Sequence, residues 1–307
     1  MTDFDRVARF MGQPAMEQLK SKKVAVVGLG SGGGFVAVSL AMSGVGQFVL
    51  IDDDVLEPTN VVRHVADLRH LRMPKVEAVA GLIKARNPDA EVTVIVGRLE
   101  HHPDVLAGCD LVISGVDAEG PKYLINETCR ALGLTAVYAG VYERGEGGDV
   151  VIIHPSGEGP CYACWALQLR EEVIDQGPGD TQIDYGLVTE HGTIRAEPAL
   201  WLHVTRVAGV QADFALNALL EGTPAFRPLP ANTVILANVA MEIIEGRTVH
   251  PYSSEWVNIR RDPGCLVCGT RDEANSAILS LETLLADQHE PDASTGTQAD
   301  TENRTHG

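Results

Sequence analysis

The residues best equipped to do chemistry lie between Val24 and Arg63. One apolar run leads into Gly28-Leu29-Gly30-Ser31-Gly32-Gly33-Gly34, a second ends in Ile51-Asp52-Asp53-Asp54, and Asn60 and Arg63 follow. Glycines let a backbone approach a polyphosphate, whose charge suits a helix N-terminus, and an aspartate closing the second strand accepts hydrogen bonds from ribose hydroxyls. Gly28, Gly30, Gly32, Gly33, Asp52 and Asp54 are therefore candidate nucleotide contacts. A dinucleotide would fit that much equally well. A hydride-transfer site, however, does not need the neutral amide of Asn60 and the guanidinium of Arg63 directly after the acidic turn, and both suit reacting phosphates. Without the glycine loop, Asp52 to Asp54 would read as an exposed acidic turn.

A second constellation is Cys161-Tyr162-Ala163-Cys164 with Cys265-Leu266-Val267-Cys268, two C-x-x-C pairs about a hundred residues apart. Four thiolates suit tetrahedral zinc, and each pair can chelate from one tight turn, Pro160 preceding the first and Pro263-Gly264 the second. A full set of four protein ligands leaves no position for water, so the expected metal is structural and pins the C-terminal segment to the middle of the chain. The competing reading is two unrelated reduced pairs or a redox dithiol. Cys109 and Cys129, on or beside apolar segments, read as buried small hydrophobes.

The elements that must position these groups follow from the apolar pattern. Lys23 to Val27 and Gln47 to Ile51 are strands around a helix from Phe35 to Ser43. Helices over 74–85 and 123–132 alternate with strands over 91–96, 111–114, 135–141 and 150–154, which predicts a doubly wound, mainly parallel sheet. A turn is expected over 156–160, a polar Gly-rich crossover over about 171–192, and a helix opened by Glu197-Pro198 and running to about Leu220. Strands over 233–244 and 254–259 give a C-terminal antiparallel extension. The implied organisation is an N-terminal arm or helix over 1–22, a catalytic domain over 23–270, and a C-terminal helix with a disordered acidic tail over 271–307.

Composition sets the outer bounds. The chain has 307 residues, 45% of them apolar, enough for a sizeable core. A net charge of −18 without clustered Lys and Arg excludes a broad nucleic-acid surface. No apolar run reaches membrane-spanning length and the N-terminus lacks a signal-peptide pattern, so a cytoplasmic protein is expected.

These residues resemble the MoeB/ThiF/HesA-type adenylating enzymes, bacterial relatives of ubiquitin-activating enzymes, over about residues 6 to 270. The family's Arg-x-x-Arg falls on Arg6 and Arg9, its strand-end aspartate on Asp52, its Asn-x-x-Arg on Asn60 and Arg63, and its Pro-Lys helix start on Pro74-Lys75. Its Asp-Asn-x-x-x-Arg-x-x-x-Asn pattern falls on Asp117, Ala118, Lys122 and Asn126, and both cysteine pairs match, the second ending in Cys268-Gly269. Gln211-Ala212 resembles a family helix at that place. The resemblance implies a Rossmann-like fold and an ATP-dependent adenylyltransferase that turns the C-terminal glycine carboxylate of a ubiquitin-like or sulfur-carrier protein into an acyl adenylate. Arg63 and Lys75 would meet the phosphates, Asn60 would donate a hydrogen bond, Asp117 would hold Mg²⁺, and Arg9 would reach into the other protomer of a homodimer.

The sequence departs from the family at Ser31 in the glycine loop, at His64 where glutamine is common, at Ala118, and at Lys122 in place of arginine. It also has no cysteine between Trp165 and Gly264, so adenylation without a covalent enzyme intermediate is expected. Two alternatives stay open, activation of a peptide or small carboxylate in natural-product biosynthesis and a non-catalytic partner subunit. The short segment before Val24 speaks against an added peptide-clamping domain, and the joint presence of Asn60, Arg63, Lys75 and Asp117 speaks against lost chemistry.

Overall fold

The computed structural model describes residues 4–155, 158–174, 199–244 and 246–269. Most of the expected crossover (175–192), the Glu197-Pro198 helix opening and the expected tail (271–307) lie outside the described residues, as do two positions of the 156–160 turn. By internal contacts the chain divides into two units, residues 1–261 and 262–307. No helix among the described residues is long and apolar enough to cross a membrane.

The first unit is built on one eight-stranded sheet. Strands β1 (Lys23–Val27), β2 (Gln47–Asp52), β3 (Glu91–Val96), β4 (Leu111–Ser114) and β5 (Thr135–Val141) are parallel in the order β3-β2-β1-β4-β5. Antiparallel β6 (Gly147–Ile153), β7 (Thr233–Ala237) and β10 (Ser254–Val257) extend it beyond β5. The central strand shows why the sheet is covered on both faces. Val24 and Val26 pack into one core with helices α2 (Gln13–Ser21), α3 (Ser31–Met42), α4 (Lys75–Arg86) and α7 (Trp201–Leu219). Ala25 and Val27 pack into the other with α5 (Glu119–Leu132) and α6 (Tyr162–Ile174). Successive residues of a strand face opposite sides, so a strand apolar throughout must be buried twice. The N-terminal arm is two helices, α1 (Asp5–Met11) and α2, and the Gln18 Nε2 group donates to the carbonyls of Leu219, the last residue of α7, and of Glu221 beyond it.

Several elements differ from expectation: α5 begins at Glu119, four residues early, β10 ends at Val257, two residues early, and the others have local reasons. Helix α3 begins at Ser31, four residues early, so Gly32 to Gly34 form its first turn. Close packing requires glycine there: a Cβ on Gly33 would lie 1.9 Å from the Gly28 carbonyl oxygen, and one on Gly28 would lie 2.8 Å from the Gly115 backbone. Strand β6 begins at Gly147, three residues early, because Gly147 and Gly148 look like turn residues until their close neighbours are seen; a Cβ on Gly148 would lie 2.5 Å from the Gly140 carbonyl oxygen. The expected strand over 233–244 is two strands. Asn238 breaks it by donating its backbone N–H to the Glu146 carbonyl at 2.7 Å, and β8 (Met241–Ile244) then pairs with β9 (Arg247–Val249) in a separate ribbon. Helix α6 was not visible in the sequence, and its last residues, 171–174, occupy the start of the expected crossover. Its first backbone N–H, on Tyr162, is satisfied by Asn126 Oδ1 of α5 at 2.9 Å, a cap supplied from 36 residues away.

Candidate active site

A cavity of about 920 Å³ opens where the segments after β1, β2, β3, β4 and β5 converge, at the C-terminal ends of the parallel strands. Doubly wound sheets bind ligands at that end. Gly28, Gly30 and Gly32 line it, and a Cβ on Gly30 would meet nothing within 4 Å, so its backbone is open to a ligand. The N-terminus of the twelve-residue helix α3 faces the same space. Gly33 is not among the lining residues; its place is the tight packing beneath the loop.

Asp52, Asp54, Asn60, Arg63, Lys75 and Asp117 all line this cavity. Asp52 also fastens the glycine loop: its Oδ2 accepts the Leu29 N–H at 2.6 Å and its Oδ1 the Asp54 N–H at 2.8 Å. Burial raises its pKa, against the lowering effect of those two N–H groups and of Lys75. A carboxylate retains further lone pairs, so ribose hydroxyls can still be accepted. The Lys75 ammonium, 11% exposed, donates to Asp54 Oδ2 at 2.6 Å, so Asp54 sets the position of Lys75. Asn60 precedes a short 3-10 turn (Val61–Arg63); its Oδ1 accepts the Glu57 N–H at 3.0 Å, leaving the amide's two N–H donors for other use. Arg63 is half-buried and forms no ion pair with another described residue. Asp117 is exposed just past β4. Arg9 is exposed, pairs with Asp5 at 2.6 Å, and is not among the lining residues.

His64, Gln211 and Arg98 support these groups in roles that the sequence did not assign them. His64 is buried; its Nδ1 accepts the Ala66 N–H at 2.9 Å, which makes Nε2 the protonated nitrogen donating to the Leu29 carbonyl at 2.7 Å. This neutral imidazole ties the Asn60–Arg63 segment to the glycine loop. Gln211, reaching from α7, donates to the carbonyls of Ser114 and Val137 at 2.8 and 3.0 Å, fixing the ends of β4 and β5. The Arg98 Nε donates to Asp53 Oδ2 at 2.7 Å, which draws the Asp53 carboxyl below its usual range. A lone glutamine on an otherwise apolar helix face was the available signal for Gln211. Nothing in the sequence marked which histidine nitrogen would be used.

Burial depresses the His64 pKa, opposed by the hydrogen bond to Leu29. The unfolded chain therefore takes up the proton first: the contribution of His64 is complete above about pH 6.5 and is lost as pH falls below it. A protonated Nδ1 would point a proton at the Ala66 N–H and release the strap. Nucleotide affinity is expected to fall several-fold between about pH 7.5 and pH 5.5, and His64→Gln, whose amide can accept and donate, should flatten that dependence. Titration by calorimetry checks this, and an equal slope in both proteins would contradict it.

Cys161 and Cys164, both buried, bracket the first turn of α6, with sulfurs 3.8 Å apart. A disulfide would need about 2.05 Å, whereas two Zn–S bonds of about 2.3 Å at the tetrahedral angle give about 3.8 Å. The pair therefore fits one zinc ion, and the tight turn expected after Pro160 is the first turn of helix α6. In the second unit, the Gly269 N–H donates to the Cys265 carbonyl at 2.7 Å, and a Cβ on Gly269 would lie 2.5 Å from that oxygen, so Cys265 to Gly269 is a tight glycine-dependent knuckle. Each pair, taken by itself, is compatible with zinc ligation.

The ThiF family profile matches residues 4–259. The SAMP-activating enzyme E1 of Haloferax volcanii is 33% identical over 276 residues, covering 87% of this chain and 90% of that protein. The sulfur carrier protein ThiS adenylyltransferase of Escherichia coli is 27% identical over 259 residues, covering 82% of this chain and 88% of that protein. Among solved structures, E. coli MccB with ATP superposes with a TM-score of 0.61 at 22% identity, over 83% of this chain and 69% of that one, a likeness of fold.

Proposed function

This chain belongs to the ThiF family and is an adenylyltransferase, and on that premise we propose that it activates the C-terminal carboxylate of a ubiquitin-like or sulfur-carrier protein as an acyl adenylate. The observation that carries the reading is the convergence on one cavity of the glycine loop, Asp52, Asn60, Arg63, Lys75 and Asp117. A carboxylate oxygen of the carrier attacks the α-phosphorus of ATP, the bond to the β-phosphate oxygen breaks, and pyrophosphate leaves. The α3 N-terminus and the glycine backbone hold phosphate oxygens, and Asp52 orients the ribose. Arg63 and Lys75 stabilise the charge that builds on the phosphates, Asn60 adds a hydrogen bond, and the whole contribution is positional and electrostatic. Asp117 would hold Mg²⁺, whose charge would screen the phosphates. Gly33 acts beneath the loop. Arg9 serves the site of the second protomer of a homodimer, and the two cysteine pairs share one structural zinc.

No enzyme thioester forms in this scheme. Burial pushes the Cys129 thiol up to about 12 and also raises that of Cys109, so neither is a ready thiolate. The other four cysteines are the zinc donors. Incubating enzyme, Mg-ATP and a glycine-terminated carrier with hydroxylamine should convert the carrier's terminal carboxyl to a hydroxamate, read by mass spectrometry, with no thiol-sensitive enzyme–carrier adduct. A carrier left unmodified would overturn the substrate class, and a thiol-sensitive adduct would overturn the thioester-free scheme.

A further inference from the structure

Three residues outside the phosphate machinery form a chain from the first cysteine pair to the cavity. Lys122, in the first turns of α5, lines the cavity yet its side chain is only 3% exposed. A lysine is almost never buried so fully without a partner. Its Nζ donates to Glu119 Oε1 at 3.2 Å, and the other oxygen of that carboxylate, Oε2, accepts the Tyr162 hydroxyl at 2.9 Å. Tyr162 is itself held firmly. Its backbone N–H is bonded to Asn126, and its fully buried ring packs against Tyr123, Tyr138 and Trp165 with centroids 4.6 to 5.4 Å away.

An ammonium carries three donors, and Glu119 is the one described partner of this one, so donors remain for a ligand in the cavity. The stretch that carries Lys122 also supplies Val116, Pro121 and Leu124 to the lining, an apolar wall suited to the flat face of a base. The phosphate-directed groups, Gly30, Gly32, Arg63 and Lys75, come from other segments. Adenine offers ring nitrogens that accept hydrogen bonds. We infer that Lys122 is a base-contacting residue donating to an acceptor on the adenine ring, and that Glu119 and Tyr162 are its positioning residues. The inference rests on the nucleotide-site reading given under Proposed function.

The test is direct binding of ATP and of AMP, by titration calorimetry, to the wild type, Lys122→Met, Lys122→Arg, Glu119→Gln and Tyr162→Phe. A lost charge-assisted hydrogen bond is worth about 10- to 100-fold. Lys122→Met should weaken both ligands by that factor and by the same amount, because both carry the base. Lys122→Arg should recover binding to within about threefold of wild type, which separates the role from a folding defect. Tyr162→Phe and Glu119→Gln should weaken binding by about three- to tenfold in the wild-type background and have no effect on top of Lys122→Met. Unchanged AMP binding in Lys122→Met, or losses that add in the double variants, would overturn the inference. Loss of ATP but not AMP binding would move Lys122 to the phosphates and overturn the base assignment. Failure of the wild type to bind either nucleotide would instead refute the nucleotide-site reading itself.

Discussion

Replacing Arg63 with alanine is expected to lower ATP–pyrophosphate exchange by roughly 10²- to 10³-fold, the cost of removing one preorganised charge from a phosphoryl-transfer site. The melting temperature should stay within about 2 °C, because surface or half-buried groups without partners contribute little to folding. The structure makes this separation sharp: Arg63 lines the cavity and forms no ion pair with another described residue, so its removal strands no buried charge. Lys75→Met is the useful contrast. Lys75 is buried against Asp54, so losing it should cost stability as well as exchange. Arg63→Lys should be intermediate, since an ammonium keeps the charge but loses the planar fork. An Arg63→Ala enzyme exchanging at the wild-type rate would remove Arg63 from the chemistry.

The second large effect concerns zinc. The Cys161–Cys164 sulfur spacing matches two bonds to one tetrahedral ion, and Gly269 allows a tight turn at Cys265. In the proposed four-thiolate site the ion's binding energy is folding energy, so chelation, or Cys161→Ser, should remove on the order of 5 kcal/mol or more. For a chain of this size that is a fall of about 10–20 °C in melting temperature. Chelation should also expose the segment from Asp262 onward to limited proteolysis before it affects residues of the central sheet. A metal-free protein with unchanged melting and one zinc equivalent absent from elemental analysis would contradict the structural-zinc reading.

Much of the architecture was legible because its signals are local. Strand β1 is apolar at every core position, so its burial on both faces could be read from Val24 to Val27 alone. Pro74 marked the start of α4 to within one residue, standing as its N-cap where the first helical position was expected. The adenylyltransferase family was legible because its motifs join residues from five segments. What sequence could not supply was long-range closure. Glycines 32 to 34 look like a flexible loop, yet they are a helix turn held against the Gly28 carbonyl and the Gly115 backbone. The α6 start depends on an Asn126 side chain from another helix, and periodicity carries no trace of such a cap. The same holds within the site. Asp54 was read as a nucleotide contact, and the structure spends one of its oxygens on Lys75; His64 was read only as a departure from glutamine, and it ties the Asn60–Arg63 segment to the glycine loop. Each of these is a partner choice between groups distant in sequence.

The most direct test of the central claim is ATP–pyrophosphate exchange by the purified enzyme with and without a glycine-terminated ubiquitin-fold protein from the same genome. The account predicts exchange that requires one such protein, requires its free C-terminal carboxylate, and disappears in Arg63→Ala and Asp117→Ala. Tight ATP binding with no exchange for any such protein, or exchange that persists when the carrier's terminal glycine is deleted, would contradict it.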